Sequence, residues 1–244
     1  MKLTKTIAAF AALFIATQAN ATPINGNGLQ NGLDNITYGS HDGSEDADFR
    51  DVNEGQLAGD EIWTLSDTSI STSRLLFEFA GYRNANTFGI YDIYDTGNRL
   101  EIFNGAASSG AASVVLGANN QFAAFGITGG TFGAATFASR AFGFYLQGPG
   151  GIFFSQSNRN AGDADHMVTF QGNGSEYIDT YGYPTLFTGG AHILAWEDLP
   201  MSNGDGDYND FVVMVTGVTA VPAPGTLALL GLGLIGAGFA RKRA

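Results

Sequence analysis

From Ile62 onward the chain is written in short apolar or alternating runs, the first three closed by Gly, Asn or Asp. They cover residues 74–80, 87–94, 99–104, 113–116, 121–127, 141–147, 152–155, 166–170, 192–197 and 211–217. Runs of β-branched and aromatic residues between such breakers read as strands. The alternation in Thr87-Phe-Gly-Ile-Tyr-Asp-Ile-Tyr-Asp95 predicts a strand with one buried face. About ten short strands at this spacing predict an all-β, antiparallel β-sandwich or jelly-roll-like domain over residues 61–220 rather than βαβ units. No segment between the two chain ends carries a helical period. The Gly- and Ala-rich stretch 129–138 fits no element. Residues 22–60 are poor in large apolar side chains, and Asn25-Gly-Asn-Gly28 and Asn31-Gly32 read there as turn or linker signals.

The two ends carry a different pattern. Lys2 and Lys5 precede an apolar stretch, residues 7–16, and then Ala19-Asn-Ala21. A basic start, an apolar middle and an A-x-A close are the three parts of a secretory signal peptide, here residues 1–21. At the other end Pro222-Ala-Pro224 precedes sixteen uncharged residues, 225–240, closed by Arg241, Lys242 and Arg243. As a helix those sixteen residues reach about 24 Å, short of the roughly 30 Å hydrocarbon core. The terminal basic cluster suits retention on the cytoplasmic side.

Composition sharpens this picture in two places. All 23 acidic residues lie outside the end segments, with only six basic residues, all Arg, beside them. The body, residues 22–220, therefore has a formal charge near −17, which disfavours a nucleic-acid partner because phosphate binding needs clustered Lys and Arg. With no Cys in the chain, export would bring no disulfides, and stability must come from the core and from any bound metal.

The acids concentrate in one place. Between the apolar runs ending at Trp196 and starting at Phe211 lie Glu197, Asp198, Asp205, Asp207, Asn209 and Asp210. Two strands joined by this loop would bring five carboxylates and an amide to one corner. At an effective dielectric of about 20, each like-charged pair at 4–6 Å costs roughly 3 to 4 kcal/mol. No Arg or Lys occurs between Arg159 and Arg241 to offset that cost. A divalent ion would, and an all-oxygen ligand set points to Ca2+. The competing reading is a solvated acidic loop, since Asp and Asn are ordinary turn residues. The loop is not an EF-hand: counted from Asp205, position six is Asp210 instead of Gly and position twelve is Thr216 instead of Glu. A second acidic stretch, with Asp42, Ser44, Asp46 and Asp48 at alternating positions, fails that template too and reads as solvated. Asp163, Asp165 and His166 would add ligands only if their loop lies at the same end of the sandwich.

Trp196-Glu-Asp-Leu199 followed by Asp205-Gly-Asp-Tyr-Asn-Asp-Phe-Val212 resembles the signature of a bacterial secreted domain of unknown function, common in surface proteins. Phe142-Gly-Phe-Tyr-Leu-Gln147, Phe153-Phe-Ser155 and Asp165-His-Met-Val168 are similar to its earlier strands, and the resemblance covers roughly residues 88–218. It implies a β-rich, calcium-associated extracellular module without enzymatic activity. The C-terminal pattern resembles a PEP-CTERM sorting signal, with Pro222-Ala-Pro224 in place of Pro-Glu-Pro. That implies recognition and cleavage by an exosortase in a Gram-negative bacterium, after transient anchoring in the inner membrane. A permanent C-terminal anchor is the alternative.

Other chemistries find little support. His41, His166 and His192 are the three histidines and Cys is absent, which argues against structural zinc. No H-E-x-x-H, G-x-S-x-G or P-loop pattern occurs. Tyr177, Tyr181 and Tyr183 beside Glu176 and Asp179 could stack on sugar rings, or could anchor a loop by half-burial. The sequence thus predicts an exported, non-enzymatic cell-surface or extracellular-matrix protein with a calcium-stabilised sandwich and exopolysaccharide or other surface proteins as partners. The alternative is a lectin-like carbohydrate-binding module.

Overall fold

The computed structural model describes residues 21–66, 69–77, 85–104, 110–126, 131–180 and 182–221. The expected signal peptide up to residue 20, the sorting segment with Pro222, Pro224 and Arg241–Arg243, and Tyr181 lie outside them. Chain order begins with helix α1 (Gly28–Asp34) and strands β1 (Thr37–Tyr38), β2 (Trp63–Leu65), β3 (Ile70–Phe77), β4 (Thr87–Asp92) and β5 (Asp95–Phe103). It continues through β6 (Ala111–Leu116), β7 (Gln121–Gly126), β8 (Thr131–Thr136), β9 (Ala141–Gly148), β10 (Gly151–Phe154) and β11 (Met167–Gln171). The last strands are β12 (Tyr177–Asp179), β13 (Pro184–Leu186), β14 (Ala191–Trp196), β15 (Phe211–Thr216) and β16 (Val218–Ala220).

These strands form an antiparallel β-sandwich, as the sequence predicts. One sheet runs β16-β2-β9-β4-β5 with β10 paired to β9; the other runs β11-β14-β15-β3-β6-β7-β8. The core between them joins Trp63, Phe88, Ile90, Phe142 and Phe144 of the first sheet to Leu75, Val114, Phe122, Leu194, Trp196 and Phe211 of the second. Phe88 lies at its centre, with ring centroids 5.5 Å from Phe144, 5.3 Å from Phe211 and 6.2 Å from Trp196.

The second sheet is buried on its other face as well. There Val168, Phe170, Ile193, Ala195, Val212 and Met214 pack against Leu29, Leu33, Phe49 and Val52 from the N-terminal segment, and against Ile178 and Phe187. Every residue of β14 is buried, and its neighbour β15 is buried from Phe211 to Val215. Two covered faces explain why these strands read as unbroken apolar runs and not as alternation. Phe211, Val213 and Val215 face the first core, while Val212 and Met214 face the second.

Two sequence readings need correction. Asn31-Gly32 is no turn: it lies inside α1, whose Leu29 and Leu33 are fully buried. Seven residues are too short to show a helical period, and tertiary packing on the sheet holds the helix where propensity would not. The stretch left unplaced, 129–138, contains β8, the edge of the second sheet. Small residues and an exposed Phe132 hide its alternation. At an edge of the first sheet, β16 pairs with β2, and Val221 N donates to Ile62 O at 2.7 Å.

Candidate metal centre

β14 and β15 pair in register from Ala191↔Thr216 to Trp196↔Phe211, and the acidic loop occupies residues 197–210 beyond that last pair. Glu197 still behaves as strand backbone: its N–H donates to His166 O at 3.1 Å. Its side chain is therefore directed by the sheet into the interior, where it is 0 % exposed. Glu197 Oε1 accepts the Tyr208 N–H at 2.8 Å. Oε2 is buried with no hydrogen-bond partner, and a Cβ on Gly204 would stand 2.7 Å from it.

The loop folds back over this carboxylate. A turn from Pro200 to Gly204, with Asn203 and Gly204 N–H donating to Pro200 O at 2.7 and 2.9 Å, returns the chain so that Asp205 and Asp207 meet Glu197. One oxygen from each of Glu197, Asp205 and Asp207 lies within 4.8 Å of the others. Gly206 at φ +71° and Tyr208 at φ +53° supply the left-handed residues of this bend. Exposure is graded across the three acids: Glu197 is buried, Asp207 intermediate and Asp205 exposed, leaving a way in from solvent.

Six residues are predicted for this site, and the corner holds them in two groups. Asp198 and Asp210 stand apart from the three acids. Asp210 Oδ2 accepts the Asp198 N–H at 3.0 Å, and Asp198 Oδ2 accepts Asn86 Nδ2 at 2.9 Å. Asn209 orients Asp207, its side-chain amide donating to Oδ2 and its N–H to Oδ1 at 3.2 Å. The N-terminal segment closes over the loop: Asn25 N donates to Gly206 O at 2.8 Å and Asn25 Nδ2 to Asp205 O at 2.7 Å. Gly28 packs so tightly on Asn209 that a Cβ there would lie 2.1 Å from its amide nitrogen. Asn25, Gly28 and Asn86 carry no local signal, because their roles depend on contacts more than a hundred residues away.

Electrostatics follow from this burial. Desolvation, then repulsion from Asp205 and Asp207, pushes Glu197 up to about 7. Desolvation likewise raises Asp207, with Asp205 adding to it, and raises the facing pair Asp198 and Asp210. Among the described residues, no Arg, Lys or His forms a salt bridge with any of them, the recorded ion pair being Arg50–Glu176.

The other candidates take structural parts. His166 is buried and stacked on Phe153 at 3.9 Å between centroids, with Nδ1 3.4 Å from Glu197 O; Asp165 faces Thr22. Asp42 accepts from Ser40 Oγ, Ser44 N and Ser44 Oγ, and these bonds hold its carboxyl down at about 2. Tyr177 is half-buried in β12 with its ring against His41, whereas Tyr183 is exposed.

Three oxygens within 4.8 Å fit one ion. Calcium–oxygen distances of about 2.3–2.6 Å allow two ligands to stand up to about 5 Å apart. An unpartnered buried carboxylate oxygen is the group such an ion would satisfy.

No curated protein and no solved structure matches the chain. Residues 116–218 match the family model of a domain of unknown function (DUF4114). That span starts later than the 88–218 read from sequence, and omits β2 to β5, although Trp63, Phe88 and Ile90 belong to the same core. The chain carries a DUF4114 domain that includes the whole acidic corner, followed at residues 220–243 by a PEP-CTERM protein-sorting motif, which implies recognition by an exosortase and export with transient membrane anchoring in a Gram-negative bacterium.

Proposed function

We propose that this protein is a non-enzymatic component of the cell surface or extracellular matrix whose sandwich is locked by one calcium ion. Glu197, Asp205 and Asp207 hold the ion, and Asn209 keeps Asp207 in place. The observation that carries this reading is the fully buried Glu197 oxygen without a partner, facing two further carboxylates. Left ionised and unpaired, such a group costs several kcal/mol; an ion removes that cost and ties the hairpin tip to its stem. Exported modules meet calcium at concentrations where sites of about 10⁻⁴–10⁻³ M are filled. The ion would then act as a fold-completing ligand available outside the cell and scarce inside it.

Calcium titrated into the chelator-treated protein is expected to raise the thermal midpoint saturably. Asp207→Ala is expected to remove that response while leaving the metal-free midpoint near the wild-type value. An unchanged midpoint at millimolar calcium would sink the reading.

A further inference from the structure

Behind the acidic corner lies a cavity of about 410 Å³ whose walls include Thr22, Glu54, Asp60, Glu61, Asp165 and Thr169. No Arg, Lys or His is among its described lining residues. Burial lifts Asp60 to about 7 and raises Asp165 as well, so this is a second group of carboxylates without a counter-charge. Thr169, buried on the wall, turns its hydroxyl toward the Asp60 carboxyl. Tyr208 OH, donating to Asp165 O at 2.8 Å, separates the cavity from Glu197.

One residue enters this cavity from the N-terminal side. Thr22 Oγ1 donates to Asp165 Oδ2 at 2.6 Å. Thr22 N donates to Gln56 Oε1, and Gln56 Nε2 donates back to Thr22 O, each at 2.8 Å. The backbone nitrogen of Thr22 is thus fixed, and covalent geometry keeps it within about 6 Å of the Asp165 carboxylate. That is inside the range where opposite charges stabilise each other. Thr22 is also the residue that follows Ala19-Asn-Ala21, the close of the three-part leader pattern.

We propose that cutting the leader at the Ala21–Thr22 bond places a new α-ammonium on Thr22 inside this acidic cavity, so that export itself supplies the fold with the cation it lacks. In the cut, a leader peptidase adds water across the peptide bond. The hydroxyl goes to the Ala21 carbonyl, and the Thr22 nitrogen leaves as an amine that takes up a proton. The proposal rests on the export half of the reading above and is independent of the calcium. Its consequence reaches the acidic corner all the same: from Thr22 the chain runs through Ile24, held by Asn53 Oδ1 at 2.9 Å, to Asn25 on the loop at 205–206.

The chain is well suited to a direct test, because its lysines are Lys2, Lys5 and Lys242. Once the leader is gone, an amine-acylating reagent can modify only the α-amine and, where the tail is retained, Lys242 as an internal reference. Intact mass of the secreted protein should place its first residue at Thr22. Its native α-amine should acylate about tenfold more slowly than that of Asp165→Asn, a factor equal to one pKa unit. Protein acylated while unfolded and then refolded should melt several degrees below unmodified protein, and this comparison decides the matter should Asp165→Asn fail to fold. A secreted protein whose first residue is not Thr22 overturns the proposal and leaves export standing, whereas a chain retained uncut in the cytoplasm overturns the export reading. With Thr22 first, equal acylation rates or equal midpoints overturn the docking alone.

Discussion

The stem of the β14–β15 hairpin buries apolar side chains against two cores, whereas its tip, residues 197–210, buries carboxylates. The stem is stable in any solvent that drives apolar groups together. Glu197 is as deeply enclosed as Trp196 beside it, both 0 % exposed; each leaves one polar atom without a partner, a neutral indole N–H on Trp196 but a carboxylate oxygen on Glu197. The same degree of burial therefore strands only neutral groups in the stem but a carboxylate at the tip. A condition that something outside the chain must meet marks the tip as the working part.

The sharpest way to separate the halves is to damage the core on which the stem packs. Phe88→Ala, at the centre of the ring cluster, is expected to lower stability by about 3–5 kcal/mol in chemical denaturation, by the same amount with and without calcium. A loss that calcium erases would mean that the core depends on the ion.

Next in size is the ion's own contribution. At a hundredfold excess over its Kd, calcium should add about 2.7 kcal/mol, and Glu197→Gln should remove that gain. Because the amide carries no charge into the interior, the variant should be at least as stable as wild type when both are metal-free. A metal-free variant markedly weaker than wild type would show that Glu197 is a structural acid instead.

A smaller effect is the pH slope. Glu197 keeps its proton up to about 7, against 4.5 for the free side chain. The metal-free native state then binds more protons than the unfolded chain between those values, and stability falls as pH rises through that window. His192, lowered by burial to about 4 from 6.5, works in the opposite sense, as does His166. Comparing wild type with Glu197→Gln cancels the histidines; identical slopes in the two would rule the Glu197 contribution out.

Smallest of all is Asp42→Ala. That carboxylate lies in an exposed, hydrogen-bonded turn, and its loss should leave both the midpoint and the calcium response unchanged. A weakened calcium response there would place an ion outside the hairpin tip.

The strands were legible because period-two alternation and unbroken apolar runs are local properties. The acidic corner was legible for a similar reason, since Glu197, Asp205 and Asp207 sit on one short loop between two such runs. How the corner divides was not: nothing near Asp198 announces that Asn86 will bind it, while the oxygens that meet are those of Glu197, Asp205 and Asp207. The strap over the loop was hidden more deeply. Asn25-Gly-Asn-Gly28 has the composition of a linker, and only packing against Asp205, Gly206 and Asn209 makes it a cover. β8 escaped because an edge strand of small residues has little to alternate.

The closing strand β16 pairs with β2 beside Trp63, and the matched sorting motif starts on its last residue, at position 220. The matched processing signal and the folded body therefore overlap at Ala220. Tension applied at Val221 would act directly on β16 and peel it from β2, next to the buried Trp63.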